Sequence, residues 1–179
     1  MTQTAKVYGN ALYELAQSEK QSKEILQQLQ SLSQAFAAEP AFITLLSTPS
    51  ISKEERCLVL DRSFRGKLNP YTLNFLKLLT EQDKIRHFDG CCRQFRLRYN
   101  EDNNILPVRA VTAVTVSPAL RKKLETKLAA VTGKRVEMTY AVDPKCLGGV
   151  QLDMDGARLD DTVRHRLNDL RNILKNTVL

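Results

Sequence analysis

Apolar residues in the first hundred positions recur at steps of three and four. Ala5, Tyr8, Leu12 and Leu15 form one series, and Val7, Ala11 and Leu15 line a second beside it, so the first helix is apolar over an unusually wide arc. Ile25, Leu29, Leu32 and Phe36 make a second helix that Pro40 closes, and Phe42 to Leu46 is a short third piece before the turn at Pro49. Ser52 and Glu55 have capping-box spacing, in which hydroxyl and carboxylate satisfy orphan N–H groups at a helix start. Cys57, Leu60 and Phe64 continue that fourth helix. Asn69-Pro70 opens a fifth, whose Leu73, Phe75, Leu76, Leu78 and Leu79 wrap most of its circumference. Phe88, Cys92, Phe95 and Tyr99 give the sixth a stripe, and the polar run Glu101 to Asn104 ends it.

Beyond that run the period changes to two. Val108 to Val116 is β-branched and reads as a central strand. Ser117-Pro118 starts a helix that runs through about Val131 and stops at Gly133. Val136, Met138, Tyr140 and Val142 alternate with polar residues, as do Val150, Leu152 and Met154. Asp155-Gly156 signals a tight hairpin into Ala157 to Leu159. Asp160 or Asp161 is placed to cap a last helix carrying Val163, Leu167, Leu170 and Leu174 on one side. The expected fold is α+β and mostly α: an N-terminal six-helix bundle over residues 1–104, then a small C-terminal α/β domain over 105–179 with a short sheet and two helices.

Charge and aromatic content divide at the same place. Of 27 Lys and Arg against 20 Asp and Glu, residues 1–105 hold 14 against 12 and residues 106–179 hold 13 against 8, a net of +2 and of +5. Ten of the eleven aromatic residues precede position 105, and Tyr140 alone follows it. Two compositions point to two domains. No apolar run approaches the roughly 20 residues that cross a bilayer. The start of the chain shows no signal- or transit-peptide pattern, so a cytosolic protein is the expectation.

Catalytic chemistry has little to draw on. His87 and His165 lie among arginines, where a solvated histidine accounts for each, and no Gly-x-Ser-x-Gly, His-Glu-x-x-His or Cys-x-x-Cys occurs. Gly66-Lys67 and Gly133-Lys134 lack the rest of a phosphate loop and read as helix ends. Cys57 and Cys92 fall on apolar stripes as small core residues, Cys91 is expected to be partly exposed, and with Cys146 the four thiols lack zinc-ligand spacing. Neither cofactor nor metal is expected. Arg121-Lys122-Lys123 and Arg164, Arg166 and Arg171 offer a basic surface, which suits an acidic protein partner or nucleic acid. No aromatic stacking platform accompanies these clusters, so nucleic acid is not the expected partner.

What remains is surplus apolar surface on the first and fifth helices. Central helices of a bundle would carry it, and so would the two walls of a groove. In the second case Ala5, Gly9 and Ala11 let a foreign helix approach the first helix, and Phe75, Leu78 and Leu79 form the opposite wall.

Five blocks in order resemble the delta subunit of the rotary ATP synthase, the family that includes the mitochondrial oligomycin-sensitivity-conferring protein. Ala5-Lys6-Val7-Tyr8-Gly9-Asn10-Ala11-Leu12 is similar to the family's opening Tyr-Ala-x-Ala-Leu helix, with Gly9 for the commoner alanine. Leu46-Ser47-Thr48-Pro49 with Ser52-Lys53 resembles its Pro-x-Ile-x-x-x-x-Lys turn, the lysine one position early. Asn74-Phe75-Leu76 through Arg86-His87-Phe88 is similar to its fifth and sixth helices. Val142-Asp143-Pro144-Lys145-Cys146-Leu147-Gly148-Gly149 resembles Val-Asp-Pro-x-Leu-Ile-Gly-Gly. Leu159-Asp160-Asp161-Thr162-Val163 resembles Ile-Asp-Gly-Ser-Val, with Asp161 for glycine.

The resemblance implies a non-catalytic stator subunit that joins the catalytic head to the peripheral stalk. It implies that a groove at Tyr8, Ala11, Leu12, Leu15, Phe75, Leu78 and Leu79 accepts the amphipathic N-terminal helix of an alpha subunit. The C-terminal domain, through its final helix, would meet the peripheral-stalk b subunits. Asp143, Pro144, Gly148, Gly149 and Asp160 would be signatures of fold. The setting implied is peripheral, at the cytoplasmic face of a bacterial membrane or its organellar equivalent.

Overall fold

The computed structural model describes residues 2–154, 157–163 and 165. The chain is mostly helical, with seven α-helices and a four-stranded sheet among the described residues. It divides into two compact units, Met1–Tyr99 and Asn100–Leu179.

The first unit holds α1 (Gln3–Ser18), α2 (Ser22–Ala38), α3 (Pro40–Leu46), α4 (Lys53–Phe64), α5 (Pro70–Glu81), a single 3-10 turn (Ile85–His87) and most of α6 (Phe88–Asp102). Local chemistry sets their starts. Thr2 accepts the Ala5 N–H at 3.3 Å, and both halves of the Ser52–Glu55 capping box form. Pro40 occupies the first turn of α3, so it begins a helix as well as bounding one. Asn69 Oδ1 accepts the Tyr71 N–H at 3.0 Å while its amide donates to Gln21 Oε1 at 2.6 Å, tying the start of α5 to the start of α2.

The core of this unit takes Leu12, Tyr13 and Ala16 from α1, Ile25, Leu29, Leu32 and Phe36 from α2, and Leu73, Leu76 and Leu79 from α5. Phe36 stacks on Phe42 at 5.6 Å between centroids and meets Phe88 edge-on at 5.1 Å. Two details correct the sequence reading. Cys91 is buried and Cys92 half-buried, so α6 turns Phe88, Cys91 and Phe95 inward. Burial raises the Cys91 thiol pKa to about 11 and pushes that of Cys92 up as well, which disfavours the reactive thiolate at both. Ala5 and Gly9 pack against α6, not a foreign helix. A Cβ on Gly9 would lie 2.7 Å from Gln94 Cβ and 2.8 Å from the Cys91 carbonyl oxygen, and one on Gly90 would lie 2.8 Å from Ala5 Cβ.

The second unit contains β1 (Ile105–Thr112), α7 (Pro118–Thr132), β2 (Arg135–Val142), a 3-10 turn (Pro144–Cys146), β3 (Val150–Met154) and β4 (Ala157–Asp160). The sheet order is β2-β1-β3-β4, with β1 parallel to β2 and antiparallel to β3, and β3 antiparallel to β4. Ser117 accepts the Leu120 N–H to start α7, and Gly133 in the left-handed region ends it. Val108, Ala110, Val136 and Leu152 form the core, with Leu124, Leu128 and Ala129 of α7 packed on it.

The strand expected to reach Val116 stops at Thr112. Its register partners there, Val142 on β2 and Val150 on β3, are the last and first residues of their strands, so nothing continues the ladder. The Thr112 hydroxyl then donates to the Val114 carbonyl at 2.9 Å, and Val114 is exposed. The hairpin turn Asp155-Gly156 lies outside the described residues, as do Arg164, Leu167, Leu170 and Leu174 of the expected last helix.

Candidate partner-binding groove

α1 and α5 bound an open groove of about 590 Å³. Leu12 and Phe75 are buried at its base, Tyr8 is half-buried, and Ala11 is exposed. Leu15 and Leu78 are 41% and 44% exposed, a large apolar side chain on each wall. Tyr71, Asn74, Lys77 and Glu81 add a polar rim.

Six of the seven residues expected at this site line it, and the seventh does not. Leu79 is 0% exposed and belongs to the core. One residue advances an α-helix by about 100°, so Leu79 points inward while Leu78 faces the groove. The rim residues were absent from the sequence reading. Tyr71, Asn74 and Glu81 lie three or four positions from Phe75 or Leu78 along α5, and Lys77 lies three from Asn74 and four from Glu81, so extending that face to its polar members would have found them.

α4 braces the α5 wall. Asp61 pairs with Lys77 at 2.6 Å, and the Cys57 thiol donates to Glu81 at 3.9 Å. At the end of α5, Asp83 accepts from the buried Arg56 at 3.0 Å and pairs with Lys53 at 3.1 Å, while Arg56 also donates to the Leu46 carbonyl at 2.9 Å. Hydrogen bonds from Arg56 and then Lys53 hold the Asp83 carboxyl below its ordinary pKa. Desolvation, followed by the charge of Glu81, raises the Cys57 thiol. On the rim, desolvation and a hydrogen bond to Glu19 raise the Tyr71 phenol.

The remaining expected residues serve the second unit's architecture. Asp143 accepts the Lys145 N–H at 2.9 Å, and Pro144 opens the 3-10 turn. Gly149 has φ +81°, and a Cβ there would lie 2.2 Å from the Asp161 carbonyl oxygen. The Val163 N–H donates to the Gly148 carbonyl at 3.1 Å, closing the same junction. Asp160 was expected to cap a helix directly. Instead its carboxylate accepts the Thr162 N–H at 3.1 Å and hydroxyl at 2.7 Å, and Thr162 Oγ1 accepts the His165 N–H at 3.2 Å. The Asp160 carboxylate therefore fixes the Thr162 hydroxyl that takes the His165 N–H. The two bonds from Thr162 hold the Asp160 carboxyl below its ordinary pKa.

Among the described residues no group of His, Cys, Asp and Glu is placed to hold a metal ion, and no helix is long and apolar enough to cross a membrane.

The family model "ATP synthase delta (OSCP) subunit" matches residues 4–174. The chloroplastic ATP synthase subunit delta of Ochrosphaera neapolitana is 30% identical over 95% of this chain and 96% of its own length. The ATP synthase subunit delta of Magnetococcus marinus is 30% identical over 96% and 94%. A chain of the Toxoplasma gondii mitochondrial ATP synthase hexamer shares the fold with a TM-score of 0.76 at 20% identity, covering 97% of this chain and 98% of that one. The chain belongs to the ATP synthase delta (OSCP) subunit family and is a non-catalytic stator subunit linking the catalytic head to the peripheral stalk.

Proposed function

We infer that the α1–α5 groove receives the amphipathic N-terminal helix of an alpha subunit and so fixes this chain to the catalytic head. Residues 1–104 act in this reading as a six-helix head-binding bundle. Residues 105–179 meet the peripheral-stalk b subunits. The protein then sits peripherally, at the cytoplasmic face of a bacterial membrane or the matching face of an organellar one. The observation that carries the reading is the side-by-side exposure of Leu15 and Leu78 above the buried pair Leu12 and Phe75. Such a stripe matches residues three and four apart on a visiting helix.

The work is mechanical. Torque on the rotor would turn the head as well unless a joint held it to the membrane sector. An interface of ordinary size buries about 800 Å² per partner, and nanomolar affinity corresponds to about 12 kcal/mol. A non-covalent contact therefore supplies a long-lived joint, and two units with separate partners let one short chain bridge them.

Leu78→Asp or Tyr8→Asp is expected to weaken binding of an alpha-subunit N-terminal peptide by about 2–4 kcal/mol, because a carboxylate would be desolvated against apolar walls. Calorimetric titration measures the loss, with circular dichroism verifying the fold. Normal peptide binding by both folded variants would sink the groove assignment.

A further inference from the structure

The lining of the α1–α5 groove includes two charged side chains, Lys77 and Glu81, and the fold treats them oppositely. The Lys77 ammonium lies 2.6 Å from Asp61 on α4, both side chains being little more than a quarter exposed, so its charge is answered from behind the wall. Glu81, the last residue of α5, is exposed, and its carboxylate forms no ion pair with a described residue. The Cys57 thiol donates to it at 3.9 Å, a neutral contact that leaves the charge in place. Lys53 reaches the backbone carbonyl of Glu81, but its ammonium pairs with Asp83 at 3.1 Å and not with the Glu81 carboxylate. Lys53, Arg56 and Asp83 all stand outside the groove lining.

The chain carries a net charge of +7, and that bulk charge favours an acidic partner. The groove selects the reverse. A visiting helix with a carboxylate beside its apolar stripe would meet Glu81 as a like charge, and could recruit Lys77 only by breaking the Lys77–Asp61 pair. A visiting helix with a lysine or arginine in that place meets an open acceptor one helical turn from Leu78. Because such a pair lies at a solvent-exposed rim, it acts on the rate of encounter and on the choice of partner more than on residence time.

We propose that Glu81 is a specificity-determining residue of the groove, taking a lysine or arginine set beside the apolar stripe of the visiting helix and disfavouring helices that carry a carboxylate there. This rests on the groove reading given above, and adds to it the charge its partner must carry and the residue that reads it.

The test mixes the full-length protein with a fluorescently labelled alpha-subunit N-terminal peptide by stopped flow at low and at high ionic strength, which reads association and dissociation separately. Glu81→Gln keeps an acceptor for the Cys57 thiol and loses the charge. It is expected to slow association about threefold at low salt, to match wild type at high salt, and to leave dissociation within about twofold. Asp61→Asn frees Lys77 to face the visitor and shifts the local charge by the same unit, so it is expected to slow association at low salt by a similar factor. A peptide whose lysines and arginines are replaced by glutamine should associate with wild type and with Glu81→Gln at one common rate. Wild-type association rates in Glu81→Gln at low salt, or a difference between the two proteins that persists with the neutral peptide, overturn the role of Glu81 and leave the groove standing. Should Glu81→Gln fail to fold by circular dichroism, Asp61→Asn carries the test, and an unaltered rate in it overturns the proposal. Absence of wild-type peptide binding overturns the groove reading, and the role of Glu81 with it.

Discussion

The two long faces of α1 are apolar for different ends. Toward α6 the side chains are small: Ala5 and Gly9 meet Gly90, Cys91 and Gln94 at distances that no added Cβ could occupy. Toward α5 they are larger, and at Leu15 and Leu78 they remain in water. A small-residue seam lets two backbones of the same chain close completely, whereas the bulky residues of α1 and α5 bound an open groove of about 590 Å³. Apolarity alone does not separate core from interface; side-chain size and backbone distance do.

Neighbouring substitutions on α5 sharpen that contrast most. Leu79→Ala is expected to cost about 3 kcal/mol of stability by leaving a cavity. Leu78→Ala should change stability by no more than about 0.5 kcal/mol while weakening peptide binding. Denaturant titrations of both variants, with the peptide titration beside them, check this, and equal stability losses would remove the distinction. Next in size, Gly9→Ala is expected to destabilise by about 2 kcal/mol because its methyl would overlap Gln94 Cβ and the Cys91 carbonyl oxygen. Ala11→Gly, on the open side of the same helix, should cost only about 1 kcal/mol, the ordinary helix-propensity difference. Thermal melts of the two variants rank them.

The smallest expected effect is pH dependence at the brace behind the groove. The Asp83 carboxyl is held below its usual range by Arg56 and Lys53, so its folded pKa is lower than its unfolded one. Its stabilising contribution is complete above the unfolded carboxylate pKa of about 3.9 and disappears as pH falls through the lower folded value. Asp83→Asn retains a residue that tolerates the left-handed backbone at φ +54°. It should flatten the acid limb of stability below about pH 4, as urea titrations at falling pH would measure.

Caps and breakers were legible in the sequence because their chemistry is local. Ser52 with Glu55, Asn69-Pro70, Ser117-Pro118 and Gly133 each act within a few residues of themselves. The end of β1 was not legible, since it depends on where Val142 and Val150 begin or finish other strands. The phase of α1 was only half visible. Apolar residues surround the helix, so periodicity did not reveal that Tyr13 and Ala16 turn inward while Leu15 does not. On α5 the groove-facing residues could be named as a set, but separating Leu78 from Leu79 required the positions of neighbouring helices. The Asp160–Thr162 arrangement was hidden because either of two aspartates had a reasonable sequence position for a cap.

Asn69 and Asp83 lie just beyond the two ends of α5. The first is fastened to α2 through Gln21, and the second to α4 through Arg56 and Lys53. A cylinder clamped at both extremities cannot swing outward to admit a guest or collapse when the guest departs. If the groove binds the head as proposed above, its receiving surface is prepared before encounter, and the loss of conformational freedom on association falls chiefly on the incoming peptide.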